Sequence, residues 1–303
     1  NHLNAVFSEM IFYASDKSND RTDIEGNISA YFQSAKLLDE QFGEGAEAAY
    51  STRQLRRDQT DCMVIRRASG TPATTTIGFD TEGNIDEAAI ETFCTGTTCT
   101  VYQWLDQSGN DNTATAPSTG AEPTIYTGGA ILKDYGRVVL NFAASNEFET
   151  SAQVNSNPLS AFVKASYGGS GGNRRHSFVE IGDISSNLSY NKFSLESWSN
   201  VGHKLWAGNG SNYDQNIITY SGDMPSAILT GIYNSSGNNL FANGTASASN
   251  PVSTYTTGAN GNILISHRNP TSTAELSEVI VYASDKSGTD QTSIEENIGD
   301  YFT

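Results

Sequence analysis

The sequence predicts a mostly β protein, an antiparallel β-sandwich with a few short helices. Three observations carry that expectation. Short runs rich in β-branched and aromatic residues recur along the chain, Gly and Asn punctuate the gaps, and stretches with helical periodicity are few. A length of 303 residues gives room for one large all-β domain and a short extra piece.

Taken in order, residues 7–13 (Phe-Ser-Glu-Met-Ile-Phe-Tyr) predict a strand, and Ser15-Asp16-Lys17-Ser18 a turn. Thr22 and Glu25 then have capping-box spacing, in which hydroxyl and carboxylate each cover a free backbone N–H, and Ile24, Ile28 and Tyr31 share one helical face. Helical passes are expected over residues 35–42 and 46–55. A further helix is expected over 85–93, where Asp86 to Glu91 supply helix-forming acids. Residues 138–142, 161–165, 177–181 and 262–266 are compact strand candidates. Asn243-Gly244 between short apolar flanks is the strongest hairpin signal in the chain. Residues 276–282 predict a closing strand, followed by Thr292 and Glu295 at capping-box spacing and by Ile294, Ile298 and Tyr301 on one helical face.

That closing unit repeats the opening one. Residues 5–18 (AVFSEMIFYASDKS) reappear as residues 274–287 (AELSEVIVYASDKS), and after one inserted residue the match runs on to Tyr31-Phe32 and Tyr301-Phe302. The offset, about 270 residues, far exceeds the roughly 20–50 residue period of solenoids, so the repeated object is a whole domain. The expected organisation is a C-terminal strand and helix of a preceding repeat over residues 1–33 and a complete repeat over 34–303. A strand and helix of that size cannot bury an apolar face alone, so a neighbour is expected to cover it. The start Asn1-His2-Leu3, with neither initiator Met nor signal peptide, fits an internal fragment.

Lys and Arg number 17 against 34 Asp and Glu, for a net charge of −17. Such a surface repels phosphate backbones, which argues against nucleic acid as a partner. No stretch is long and apolar enough to predict membrane insertion. Cys94 and Cys99 flank a tight Gly-containing loop and are close enough to bridge, which would place the protein in an oxidising, extracellular setting. Cys62, beside Met63-Val64-Ile65, reads as a small buried hydrophobe.

Four motifs between residues 49 and 117 carry a resemblance. Ala49-Tyr-Ser-Thr-Arg-Gln-Leu-Arg56, Val64-Ile-Arg-Arg-Ala-Ser69, Phe93-Cys-Thr-Gly-Thr-Thr-Cys99 and Trp104-Leu-Asp-Gln-Ser-Gly-Asn110 occur in that order. The set resembles the N-terminal half of the catalytic domain of α-L-arabinofuranosidase B-type glycoside hydrolases. It is also similar to LamG-like modules of bacterial surface proteins and phage fibres. The resemblance implies a concanavalin A-like jelly roll and a Cys94–Cys99 bridge. A retaining glycosidase needs two carboxyl groups about 5–5.5 Å apart. In the resembling family the acid/base Asp follows a late Ile-Leu strand, and residues 263–269 set against that strand put Asn269 in its place. An amide cannot donate and recover a proton, so this alignment implies lost catalysis. Glu180 and Glu196 are the nucleophile candidates in the middle strands, with Asp183 or Asp223 as partner in an enzymatic reading.

Other candidates are weighed on residue type. Asp106, Asn110 and Asp111 concentrate oxygen ligands for Ca²⁺ but lack EF-hand spacing, and Asx side chains capping their own turn explain them better. Trp104, just before them, reads as a core anchor. Trp198, Trp206, Tyr213 and Tyr220 offer faces on which sugar rings stack, against the alternative of filling an inter-sheet core. His2, His176, His203 and His267 have no ligand spacing, and Gly168-Gly-Ser-Gly-Gly172 before Arg174-Arg175 lacks the ending of a phosphate loop. No cofactor is implied.

The leading functional expectation is a non-enzymatic repeat module of a long extracellular adhesin, appendage or filament. Its partners would be neighbouring repeats in a homo-oligomer or filament, with glycan as a further ligand. The alternatives are a glycoside hydrolase of the α-L-arabinofuranosidase type, acting on arabinose-containing polysaccharide, and a phage tail-fibre or virion module.

Overall fold

The computed structural model describes residues 11–22, 24, 36–71, 73–143, 145–154, 158–168, 175–182, 192–198, 202–208, 213–219, 224–247, 261–266 and 272–302. The chain divides into two units, residues 1–35 and 36–303.

The larger unit opens with strands β1 (Ala46–Ser51), β2 (Asp61–Arg67) and β3 (Thr74–Gly78), then helix α1 (Glu87–Cys94). Strands β4 (Cys99–Trp104), β5 (Ala114–Thr115), β6 (Thr124–Thr127) and β7 (Ala130–Ile131) follow. The hairpin β8 (Lys133–Asp134) and β9 (Arg137–Val138) leads to β10 (Leu140–Phe142), β11 (Phe148–Gln153) and β12 (Leu159–Gly168). Next come β13 (Arg175–Gly182), β14 (Lys192–Trp198), β15 (Gly202–Gly208) and β16 (Tyr213–Ile218). The series ends with β17 (Met224–Asn234), β18 (Gly237–Ala242), β19 (Thr245–Ala246), β20 (Asn262–Ile265), β21 (Thr273–Tyr282) and helix α2 (Thr289–Phe302).

Among the described residues all strand pairings are antiparallel, and they trace two layers. In one, β21 pairs with β12, β12 with β17 and β17 with β18, while β1 and β10 share the other edge of β21. The second runs from β3 through β2, β4, β5, β11, β20, β13, β14 and β15 to β16. Strand β6 pairs with both β4 and β10 and so joins the layers. This is the β-sandwich that the sequence predicts.

The two layers enclose one core, in which Tyr50, Trp104, Phe148 and Phe142 form a chain of ring contacts 5.6–6.3 Å apart. Gly231 on β17 marks a close approach: a Cβ there would lie 2.8 Å from Leu195 Cδ2 and 2.9 Å from Phe193 Cζ. A second core lies on the outer face of β12, β17 and β21, where Ile294, Ile298 and Phe302 of α2 cover Phe162, Ile228, Ile280 and Tyr282. Strands β12 and β21 are therefore buried on both faces along most of their length, including polar positions such as Ser160, Lys164, Ser277 and Glu278.

A buried ion pair locks α2 to the sheet. Arg53 donates from Nε and Nη2 to the two carboxylate oxygens of Glu278 at 2.7 and 3.0 Å, and from Nη1 to Asn297 Oδ1 at 2.8 Å. Its guanidinium carbon lies 5.3 Å from the Tyr301 ring centre and 5.7 Å from that of Phe302. Ser51 Oγ adds a third hydrogen bond to Glu278, at 2.7 Å.

Several local expectations hold. The helix expected over residues 85–93 is α1 (Glu87–Cys94), and Asp86 caps it by accepting from Ala89 N at 2.9 Å. Asn243 and Gly244 take φ of 48° and 75°, the left-handed pair that a type I′ turn requires, and Ala242 pairs with Thr245 across it. Others are corrected. Residues 46–51 are strand rather than helix, because Ala46, Ala49 and their neighbours are covered on both sides and small residues fit that space. Residues 35–42 contribute a single 3-10 turn, Leu37–Asp39. The Thr292–Glu295 capping box does not form, since α2 begins three residues earlier. Thr292 Oγ1 donates to Gly288 O at 3.3 Å, and Glu295 accepts from Thr230 Oγ1 at 2.5 Å. In the smaller unit, residues 11–13 are exposed and not strand, while residues 7–10, Glu25, Ile28 and Tyr31 lie outside the described residues.

Candidate active site

Strands β13 and β14 bring two buried carboxylates together. Along β14 the alternation of a pleated strand sends Phe193 and Leu195 into the core and sets Ser194, Glu196 and Trp198 on the opposite face. Glu180 and Ser177 on β13 are three residues apart, which in a regular strand would place them on opposite faces. The register shifts between Ser177 and Val179, however, so Ser177 pairs with Glu196 and Glu180 with Ser194. One irregularity thus turns both β13 residues toward the β14 polar face.

The hydrogen bonds follow from that placement. Ser177 Oγ lies 2.7 Å from Glu180 Oε1 and 3.2 Å from Glu196 Oε1. A hydroxyl carries one proton, so it serves one of the two at a time. Ser194 Oγ donates to Glu196 Oε1 at 2.8 Å, and Trp198 Nε1 donates to Oε2 at 2.8 Å. Both oxygens of Glu196 are therefore held. Lys204, paired with Glu196 across β14–β15, places Nζ 3.9 Å from the Trp198 ring centre. Both carboxylates and Lys204 are buried, and Trp198 is half-buried.

Two buried histidines flank this region without joining it. His176 contacts Ser272 Oγ at 3.2 Å and Ser266 Oγ at 2.9 Å, and His203 contacts Ser197 Oγ at 2.9 Å. Burial lowers His176 to about 3 and His203 to about 4, so both are neutral near pH 7.

The remaining sequence candidates separate. Trp206 stands opposite Ser194 in the β14–β15 ladder and Tyr213 opposite Gly208, so the strands carrying them adjoin the site. Tyr220, Asp183, Asp223 and Asn269 lie outside the described residues. Asp106 is a turn organiser: Oδ1 accepts from Ala49 N and Ser108 N, and Oδ2 from Ser108 Oγ and Asn112 N, all within 2.9 Å. Asn110 donates to Ala46 O, and Asp111 is exposed with φ of 58°. Trp104 is fully buried. Cys94 and Cys99 form a disulfide with Cα atoms 5.8 Å apart, and Cys62 is buried with its thiol pushed up by burial. The supporting groups Ser177, Ser194 and Lys204 were not singled out by sequence reasoning. For Ser194 a signal is present in Lys192-Phe-Ser-Leu-Glu196, where polar residues alternate with the core residues Phe193 and Leu195.

The family description "Alpha-L-arabinofuranosidase B, catalytic" matches residues 41–137. The resemblance is to a glycoside hydrolase catalytic domain. Solved structures agree in fold. An arabinofuranosidase complexed with arabinofuranosyl-α-1,2-xylobiose aligns with a TM-score of 0.62 at 18% identity, covering 84% of this chain and 62% of its own. A family 54 arabinofuranosidase soaked with a cyclic sulfate inhibitor gives the same values. A mutant of such an enzyme, soaked with 4-nitrophenyl α-L-arabinofuranoside, aligns at 17% identity with the same coverage and TM-score. This chain thus spans 62% of the length of those structures. No curated protein matches it in sequence. These findings correct the expectation of a non-enzymatic adhesin module, because the domain matched in both sequence and fold is a hydrolase catalytic domain.

Proposed function

We propose that the chain is a glycoside hydrolase domain of α-L-arabinofuranosidase type, removing arabinofuranosyl groups from polysaccharide with Glu180 and Glu196 as its carboxylate pair. The observation that carries the reading is the shared Ser177 hydroxyl. It keeps one oxygen of each carboxylate within 3.2 Å of a single atom, and the two oxygens therefore lie within about 6 Å of each other. That limit suits a retaining enzyme, whose carboxyl groups are about 5–5.5 Å apart, and leaves little room for the water of an inverting one.

In the proposed mechanism one carboxylate attacks the anomeric carbon while the other, as its acid, protonates the departing glycosidic oxygen. The C–O bond to the aglycone breaks and a glycosyl-enzyme ester forms. The second group, now a carboxylate, takes a proton from water, whose oxygen displaces the ester and restores both side chains. Lys204 and Trp198 line the pair, so the half-buried indole edges the space next to the reacting atoms. The disulfide and a polysaccharide substrate both fit secretion, and we place the domain outside the cell on that ground.

The test is hydrolysis of 4-nitrophenyl α-L-arabinofuranoside by the parent chain and by Glu180→Gln and Glu196→Gln. Each variant is expected to lose at least about 100-fold in kcat while keeping its fold. Azide should rescue the variant that lacks the nucleophile and leave an arabinofuranosyl azide. Activity equal to the parent in both variants, or none in the parent on this substrate and on arabinoxylan oligosaccharides, would rule the reading out.

A further inference from the structure

Residues 5–32 repeat the closing strand and helix unevenly, and the pattern follows the two faces of β21. On the outer face, the residues of the Arg53 clamp all have identical counterparts: Glu278, Asn297, Tyr301 and Phe302 correspond to Glu9, Asn27, Tyr31 and Phe32. The apolar residues around the clamp behave alike, with Ile280, Tyr282, Ile294 and Ile298 matched by Ile11, Tyr13, Ile24 and Ile28.

The inner face differs. Leu276, Val279 and Val281 point into the core between the layers, and their counterparts are Phe7, Met10 and Phe12, each larger. The copy therefore keeps what grips an arginine and a sheet surface, and changes what fills the space beneath.

In residues 36–303 that position is already taken. Strand β21 is paired along both edges, by β12 on one side and by β1 and β10 on the other. Meanwhile Ile11, Phe12 and Tyr13 are 44%, 86% and 48% exposed, where Ile280, Val281 and Tyr282 are 0% exposed. An apolar surface of this kind gains free energy when a partner covers it.

We propose that residues 5–32 are a docking element that completes a second sandwich of this type. That partner carries an arginine equivalent to Arg53 and a core with smaller residues opposite the inserted strand. The strand would add between two neighbours, and its helix would cover the outer face, as β21 and α2 do here. The inference stands independently of the glycosidase reading.

The experiment is a full-length chain in which residues 274–302 are replaced by the sequence of 5–32, made in two forms. One keeps Leu, Val and Val at the three core-facing positions and the other carries Phe, Met and Phe. The first is expected to unfold cooperatively within about 5 °C of the parent, and Arg53→Ala is expected to lower both melting temperatures alike. The second is expected to melt lower than the first, by overpacking. Loss of the cooperative transition in the first form, or insensitivity of that form to Arg53→Ala, would overturn the docking element. Equal melting temperatures in the two forms would overturn the claim that the partner's core is different.

Discussion

At Ser177 one hydroxyl stands between two buried carboxylates, and the consequences of removing it separate catalysis from stability. Ser177→Ala takes away a donor that only one carboxylate uses at a time, while Ser194 and Trp198 still hold Glu196. The expected result is a fall in kcat of roughly tenfold or more, from a pair whose geometry has loosened, with a stability cost of about 1.5–3 kcal/mol for a lost hydrogen bond to a charged group. Steady-state kinetics and urea unfolding on one preparation check both. Arg53 has the opposite character. It is buried against Glu278 and far from the carboxylate pair in sequence, so Arg53→Ala should leave an uncompensated buried carboxylate and cost about 3–5 kcal/mol in urea unfolding. Sequence reasoning found Glu180 and Glu196 as isolated acids. It could not bring them together, because the irregularity at Phe178 that reverses the face of Ser177 leaves no mark in residue type.

Among the elements, the β13–β16 sheet reaches its position only where the opposite layer lets it. Gly231 on β17 leaves the space that Leu195, Phe193 and Leu205 fill from β14 and β15. Gly231→Val is expected to push β14 outward and cost about 1–3 kcal/mol. Activity should fall with it, because Leu195 adjoins Glu196 on the same strand. A thermal melt and the rate on an arabinofuranoside check this; a variant that is stable yet fully active would contradict the packing argument. The elements also show where sequence signals succeed. Asn243-Gly244 was legible because its turn demands two left-handed residues, and α1 because the acids from Asp86 to Glu91 mark a helix, which Asp86 also caps. Residues 46–51 were misread because Ala and Glu favour helix locally, whereas burial on both faces of β1 decided the outcome. Thr292 and Glu295 misled for a related reason: their spacing is right, but Glu295 is engaged by Thr230 from β17.

For the whole molecule, acid is the condition that discriminates. His176 and His203 are held neutral by burial, at about 3 and about 4 against 6.5 for the free side chain. Their folded values are depressed, so the unfolded chain binds more protons below pH 6.5. Stability is full above that value and is lost as pH falls toward 4 and then 3. Melting temperatures followed from pH 7 to pH 4 should fall, and His176→Gln should flatten the slope; a profile unchanged by that substitution would contradict the assignment. The sandwich itself was legible at this scale from short strands and turns, and the resemblance over residues 49–117 led to the domain that both comparisons match. The resemblance sets Asn269 at the acid/base position, which lies outside the described residues, and the proposed activity rests instead on the carboxylate pair of the middle strands. Covalent labelling reaches that claim most directly. An arabinofuranose-configured cyclic sulfate, followed by intact mass and peptide mapping, is predicted to attach once, on Glu180 or Glu196, and to fail when that residue is changed to Gln. A label on any other carboxylate, or none on a chain that hydrolyses the substrate, would contradict it.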